Sequence, residues 1–162
     1  MRRIAFLLLL AIAAAALAWL GSGRDDGPGG LVEARVDHVT DGDTLWLTGI
    51  GKVRLIGIDT PEVYGQTECY GRQASAFAKR LLPPSTPVRY RLGPEERDRY
   101  GRALAYVWLH DGRFLNRMLV SQGYATPLTI PPNVDYADRF VRAARAARRA
   151  GRGLWGIPGC AG

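Results

Sequence analysis

Three short β-prone runs separated by two tight turn signals restrict the fold of this chain more than any other feature. Leu31 to Val39 alternates roughly and is rich in Val, Thr44-Leu45-Trp46-Leu47-Thr48 is a second such run, and Lys52 to Ile58 a third. Asp41-Gly42-Asp43 connects the first pair and Gly49-Ile50-Gly51 the second. Such short connections make antiparallel neighbours, so the segment reads as a three-stranded meander.

The rest of the chain supplies what surrounds it. After Pro61 the sequence is irregular as far as Cys69. Gly71 to Leu82 then places Ala74, Phe77, Ala78 and Leu81 at helical spacing and stops at Pro83-Pro84. Val88 to Leu92 reads as a fourth strand, Gly93 to Gly101 as a charged loop, and Arg102 to His110 as a fifth strand with Leu104, Tyr106 and Trp108 on one face. Phe114 to Gln122 is a short helix stopped by Gly123. From about Val134 to Ala150 a last helix sets Phe140, Val141, Ala144 and Ala147 against five arginines, a charge run that reads first as a solvated face. Five strands with helices after the third and fifth describe an α+β fold, a five-stranded OB-type barrel with about three helices.

The N-terminus is a separate unit. Arg2 and Arg3 precede an uncharged apolar run from Ile4 to Leu20, and small residues come after it. That layout is a signal peptide or, at this length, an uncleaved membrane anchor over residues 4–20. Either way, residues 1–23 export the remainder of the chain: 24–30 as a glycine-rich linker and 31–162 as one domain, secreted, periplasmic or tethered outside the cytoplasmic membrane. In an exported chain, an even cysteine count favours a disulfide between Cys69 and Cys160, two free thiols being the alternative. With only His38 and His110 beside these cysteines, no zinc site is recognisable.

The formal charge is +7, and only Lys52 and Lys79 among the cations are lysines. Arginine suits bidentate phosphate recognition, so a polyanionic partner is a reasonable expectation.

Three segments carry candidate chemistry: Asp41-Gly42-Asp43-Thr44, Arg54 to Glu62, and Asp98-Arg99-Tyr100-Gly101-Arg102. Each alone reads as a turn, a helix start or a solvated loop. The first two converge, because antiparallel pairing sets the start of the second strand beside the end of the third. Asp43 then lies next to Asp59, with Asp41 and Glu62 close by. Clustered carboxylates repel one another unless a cation sits among them. Oxygen ligands without His or Cys point to Ca²⁺ or Mg²⁺. An EF-hand does not fit, since a loop begun at Asp37 would put Val39 third and Thr48 twelfth. A divalent ion flanked by Arg54 and Arg102 is what stabilises the transition state of phosphoryl transfer. Arg54 and Asp59 have opposite parity along a regular strand, so sharing a site requires a bend, expected at Gly57.

In these motifs, together with Tyr70-Gly71, Ala74-Ser75-Ala76-Phe77, Arg99 to Tyr106 and Pro132-Asn133, the chain resembles the thermonuclease, or staphylococcal-nuclease-like, family from about Val32 to Trp155. The resemblance implies an OB-fold endonuclease that uses Ca²⁺ to hydrolyse DNA and RNA, single strands preferred, leaving 3′-phosphates. It implies a monomer with no protein partner. By the same resemblance Asp43, Asp59 and the backbone carbonyl of Thr60 would hold the metal, with Asp41 acting through water. Glu62 would orient or deprotonate the attacking water, Arg54 and Arg102 would bind the scissile phosphate, and Arg99 and Tyr100 would meet a terminal phosphate. Around Leu128-Thr129-Ile130 the family's base-stacking tyrosine is missing, and Tyr124 and Tyr136 are the candidates to replace it. The rival reading is a non-catalytic nucleic-acid-binding OB module, which would be expected to lose acids or arginines that this chain keeps.

Overall fold

The computed structural model describes residues 30–160. The signal or anchor segment and nearly all of the 24–30 linker fall outside that range. Among the described residues no helix is long and apolar enough to cross a membrane.

The meander forms from β1 (Val32–Val39), β2 (Thr44–Leu47) and β3 (Gly51–Leu55). β5 (Pro87–Arg97) and β6 (Ala103–Leu109) complete a closed barrel in the order β1-β2-β3-β6-β5. Closure comes from antiparallel β1–β5 pairing on one side and parallel β3–β6 pairing on the other, with Arg54 opposite Leu104. Alternate residues fill the interior: Val36, Leu45, Leu47, Val53, Leu55, Val88, Ala105 and Val107 are at most 2% exposed. Small alanines on β6 let the strands crowd together there, as a small barrel requires.

β6 is buried on both faces, because helices cover its outer side. Tyr106 and Trp108 point outward into an aromatic layer with Phe114, Tyr136 and Phe140. Those last residues arrive on α2 (Leu115–Ser121), α3 (Ala137–Arg149) and the segments leading into them. α1 (Gly71–Leu81) buries Ala74, Ser75 and Ala78.

Three elements depart from the sequence reading. The fourth barrel strand does not stop at Leu92 but runs on to Arg97, with a register break between Leu92 and Arg97 where Gly93 approaches Asn133. Glu95 exchanges two hydrogen bonds with the Asn133 amide, which holds that charged stretch extended. A second, two-stranded sheet of β4 (Ile58–Asp59) and β7 (Thr126–Pro127) is also absent from the sequence expectation, being too short to leave a pattern. The last helix begins at Ala137 rather than Val134.

Candidate active site

The site grows out of two turns and a kink. In the β1–β2 turn, the Asp41 carboxylate accepts hydrogen bonds from the backbone N–H of Asp43 and Thr44, at 3.2 and 2.8 Å, and fixes the loop. A side chain at Gly42 would collide with Thr60, so only glycine lets this turn come so close to the residue that follows β4. Asp43 benefits: its Oδ2 accepts from the Thr60 backbone N–H and hydroxyl, at 2.8 and 2.9 Å, and its Oδ1 accepts from the Thr44 hydroxyl. Asp43 and Thr60 are both buried.

The kink is at Gly57, with φ +79°, between β3 and β4. It reverses the parity problem of Arg54 and Asp59: Arg54 Nη2 donates to Asp59 Oδ1 at 2.7 Å, and Arg54 Nε lies 3.1 Å from Asp43 Oδ1. Nη1 donates to the Leu55 and Ile58 carbonyls, both at 2.8 Å, and so ties the two sides of the kink together. One Nη2 hydrogen is left over for a ligand.

Arg102 reaches the same wall through the parallel β3–β6 ladder, because it shares parity with Leu104, the register partner of Arg54. Asp98 aims it. Its Oδ2 accepts from Arg102 Nε at 2.6 Å, while Oδ1 accepts the backbone N–H of Tyr100 and Arg102. These hydrogen bonds hold the Asp98 carboxyl below the usual range even though burial opposes them. The Nη groups of Arg102 stay available. Arg99 stacks on Tyr100, which is largely exposed, and donates to its hydroxyl. Arg54, Arg99, Tyr100 and Arg102 line one pocket of about 460 Å³, together with Leu128, Ile130 and Asn133. Two apolar side chains thus stand in the segment where the family's stacking tyrosine is missing. Tyr124 packs against Tyr70 and Phe77, and Tyr136 belongs to the aromatic layer, so neither lines the pocket.

Glu62 sits at the end of an exposed loop that folds back on itself. The Glu62 backbone N–H donates to the Glu68 carboxylate at 3.0 Å, and the Glu68 N–H returns a bond to the Glu62 carbonyl at 2.9 Å. The Tyr64 hydroxyl hitches this loop to the Thr40 carbonyl, and a disulfide joins Cys69 to Cys160. Sequence reasoning missed Glu68 and Tyr64, since an irregular loop carries no periodicity. Asp98 stood at the head of the third candidate segment, and the structure gives it its task, the orientation of Arg102.

Electrostatically the acids behave as a crowd. Burial raises the carboxyls of Asp41, Asp59 and Glu62, and the neighbouring carboxylates add to this in each case; Arg54 partly offsets it for Asp59. Among the described residues no three His, Cys, Asp or Glu side chains stand close enough to hold a metal by themselves. A cation here would therefore need backbone or water oxygens to complete its shell. The donor chemistry fits a hard divalent ion, because repulsion among these oxygens is what such an ion relieves.

Geometry of this kind defines an OB barrel with an acid cluster and two aimed guanidinium groups, a site shaped for an anionic ligand. Residues 52–156 match the family model described as Staphylococcal nuclease homologue. The chain is 35% identical over 169 aligned positions to a thermonuclease of Staphylococcus hyicus, covering 96% of this chain and 99% of the relative. It is 39% identical over 126 positions to a thermonuclease of Staphylococcus intermedius, covering 74% of each. Endonuclease YhcR of Bacillus subtilis (strain 168) is 34% identical over 140 positions, which is 78% of this chain and 12% of that longer protein. The chain belongs to the staphylococcal nuclease homologue family.

Proposed function

We propose that this chain is an exported, calcium-dependent nuclease that hydrolyses phosphodiester bonds of DNA and RNA and leaves 3′-phosphates. The observation that carries the reading is Arg54, which touches Asp43 and Asp59 on one side and lines the same pocket as Arg102 on the other. A phosphate in that pocket meets two guanidinium groups next to a carboxylate cluster. The thermonuclease and endonuclease names of its relatives support the same chemistry.

The residues divide the work. Asp43, Asp59 and the Thr60 carbonyl would hold Ca²⁺, with Asp41 reaching it through water; the ion would supply a positive centre for the phosphate and lower the cost of ionising a bound water. Arg54 and Arg102 neutralise charge as it builds on the equatorial oxygens. Each is already oriented by protein acceptors, so little reorganisation is needed during reaction. Glu62, exposed and with its carboxyl raised, orients or takes a proton from the attacking water. Arg99 and Tyr100 are placed to receive a further phosphate. Leu128 and Ile130 offer an unpaired base an apolar wall, which favours single strands. The basic-then-apolar N-terminus and the disulfide support export.

Incubating the purified chain with single-stranded DNA in Ca²⁺, and then in EGTA, tests the proposal. Cleavage in Ca²⁺ that EGTA abolishes is the expected result. Binding without cleavage in either condition identifies a non-catalytic module instead.

A further inference from the structure

Away from the pocket, the face built by α2 and α3 carries a marked excess of positive charge. α3 holds Arg139, Arg142, Arg145, Arg148 and Arg149 against a single acid, Asp138, within 13 residues. Arg117 of α2 comes alongside. With Arg139 and Arg142 it walls a groove of about 350 Å³ floored by the small side chains of Ala143 and Ala146. Four arginines outside this face pair with carboxylates: Arg54 with Asp43 and Asp59, Arg91 with Asp135, Arg102 with Asp98, and Arg113 with Asp111. Arg142, Arg145 and Arg149 are exposed, and no ion pair found among the described residues includes them.

This arrangement works against the helix. Arg139 and Arg142, Arg142 and Arg145, Arg145 and Arg148, and Arg145 and Arg149 are three or four residues apart, the spacing at which like charges repel along a helix. An anionic partner relieves that repulsion. Two of the side chains are also steadied by rings: Arg139 lies 5.4 Å from the centre of Tyr136, and Arg148 5.5 Å from that of Trp155. A membrane surface is the poorer match. Helices that bind membranes insert an apolar face, and the apolar face of α3 (Phe140, Ala143, Ala147) is already buried, the helix packing against α2 and β7. A phosphodiester backbone needs no insertion, and guanidinium groups around a small-residue floor suit it.

The location also fits a strand that leaves the catalytic pocket. Asn133 and Ile130 line that pocket, and α3 starts four residues beyond Asn133. From there the helix extends over roughly 18 Å, at about 1.5 Å per residue, and none of its residues lines the pocket itself. We propose that the Arg117–Arg139–Arg142 groove, with Arg145 and Arg149 beyond it, is a second phosphate-backbone site that holds the nucleic-acid strand outside the catalytic pocket. Its ligand class rests on the nuclease reading.

The test uses the full chain carrying Arg142→Ala, Arg145→Ala and Arg149→Ala together. All three positions are exposed, alanine favours helix and the like-charge repulsion is removed, so the variant should melt no lower than the parent. A fluorescent single strand of about 30 nucleotides is titrated in chelator between roughly 50 and 200 mM salt, where binding is read without cutting. Losing three phosphate contacts should flatten the plot of log K against log salt by about 2, at roughly 0.7 per contact, and weaken binding at the low-salt end on the order of tenfold or more. In Ca²⁺, kcat/KM for the long strand should fall relative to that for a dinucleotide. An unchanged slope and affinity overturns the proposal. So does a variant that loses binding to phosphatidylglycerol vesicles while keeping the strand, since that face would then meet a membrane. The binding arm does not depend on cleavage: a chain that bound in this way but never cut would refute the nuclease and leave the second site standing.

Discussion

Replacing Gly57 by alanine attacks the kink on which the whole site depends. The cost has two parts. Backbone with φ +79° penalises an L side chain by about 1–2 kcal/mol. The new Cβ also falls on the ring of Phe140, which is 1% exposed and enclosed by Phe114 and Tyr136, so the ring has nowhere to go. Overpacking of that kind adds about 1–3 kcal/mol. The sum is about 2–5 kcal/mol, which for a domain of this size lowers Tm by roughly 10–20 °C. Circular dichroism melts of Gly57→Ala measure it. Adding Phe140→Leu should return only part of the loss, because the backbone penalty remains. The folded fraction should also turn over more slowly, since a straightened strand separates Arg54 from Asp59. A Gly57→Ala chain melting within about 2 °C of the parent, less than even the smallest of these costs allows, would show that the kink is not enforced by glycine and would refute the reasoning.

Further outcomes come from the same geometry. Arg102→Ala should leave the melt nearly unchanged and reduce kcat by about 10²–10³, as removal of a charge-stabilising donor does; near-normal turnover in steady-state kinetics would remove Arg102 from the chemistry. Because the folded-state carboxyls of Asp41, Asp59 and Glu62 are raised, the folded chain binds more protons than the unfolded one. In chelator its stability should therefore fall as pH climbs above the ordinary carboxylate range. Ca²⁺ should restore most of that loss, which melts across a pH series with and without Ca²⁺ would reveal. Asp98, held low, contributes with the opposite sign and loses its contribution on acidification. Reducing the Cys69–Cys160 bond, which closes 91 residues, should cost about 4–5 kcal/mol in the chain-entropy model. Urea unfolding with and without dithiothreitol checks this, and a midpoint that does not move would show that the tail contributes nothing.

The parts of this protein that were legible in its sequence are those written as local pattern. Tight turns at Asp41-Gly42-Asp43 and Gly49-Ile50-Gly51 specify the meander, and antiparallel pairing then brings Asp43 near Asp59. Parity alone demanded a break between Arg54 and Asp59, and Gly57 was the residue able to supply it. What stayed hidden depends on distant partners. β5 runs through Gly93 to Arg97 because Asn133, far along the chain, satisfies the backbone of Glu95. β4 and β7 are two residues each and pair only because the kink delivers them to one another. Glu68 braces Glu62 from within a loop that has no period to read. Tyr124 and Tyr136 look like free aromatic platforms in sequence, yet packing against Phe77 and Tyr106 keeps them out of the pocket. Leu128 and Ile130 took up the pocket wall instead.

The central claim is that Arg54, Arg102 and the acid cluster direct water onto a phosphate held in their pocket. Digestion of a defined oligonucleotide in ¹⁸O-water with Ca²⁺, followed by mass spectrometry of the products, tests it most directly. The account predicts one ¹⁸O atom in the 3′-phosphate formed at each cut and none in the 5′-hydroxyl fragment. Label in a 5′-phosphate, or an oligonucleotide recovered intact, would contradict it.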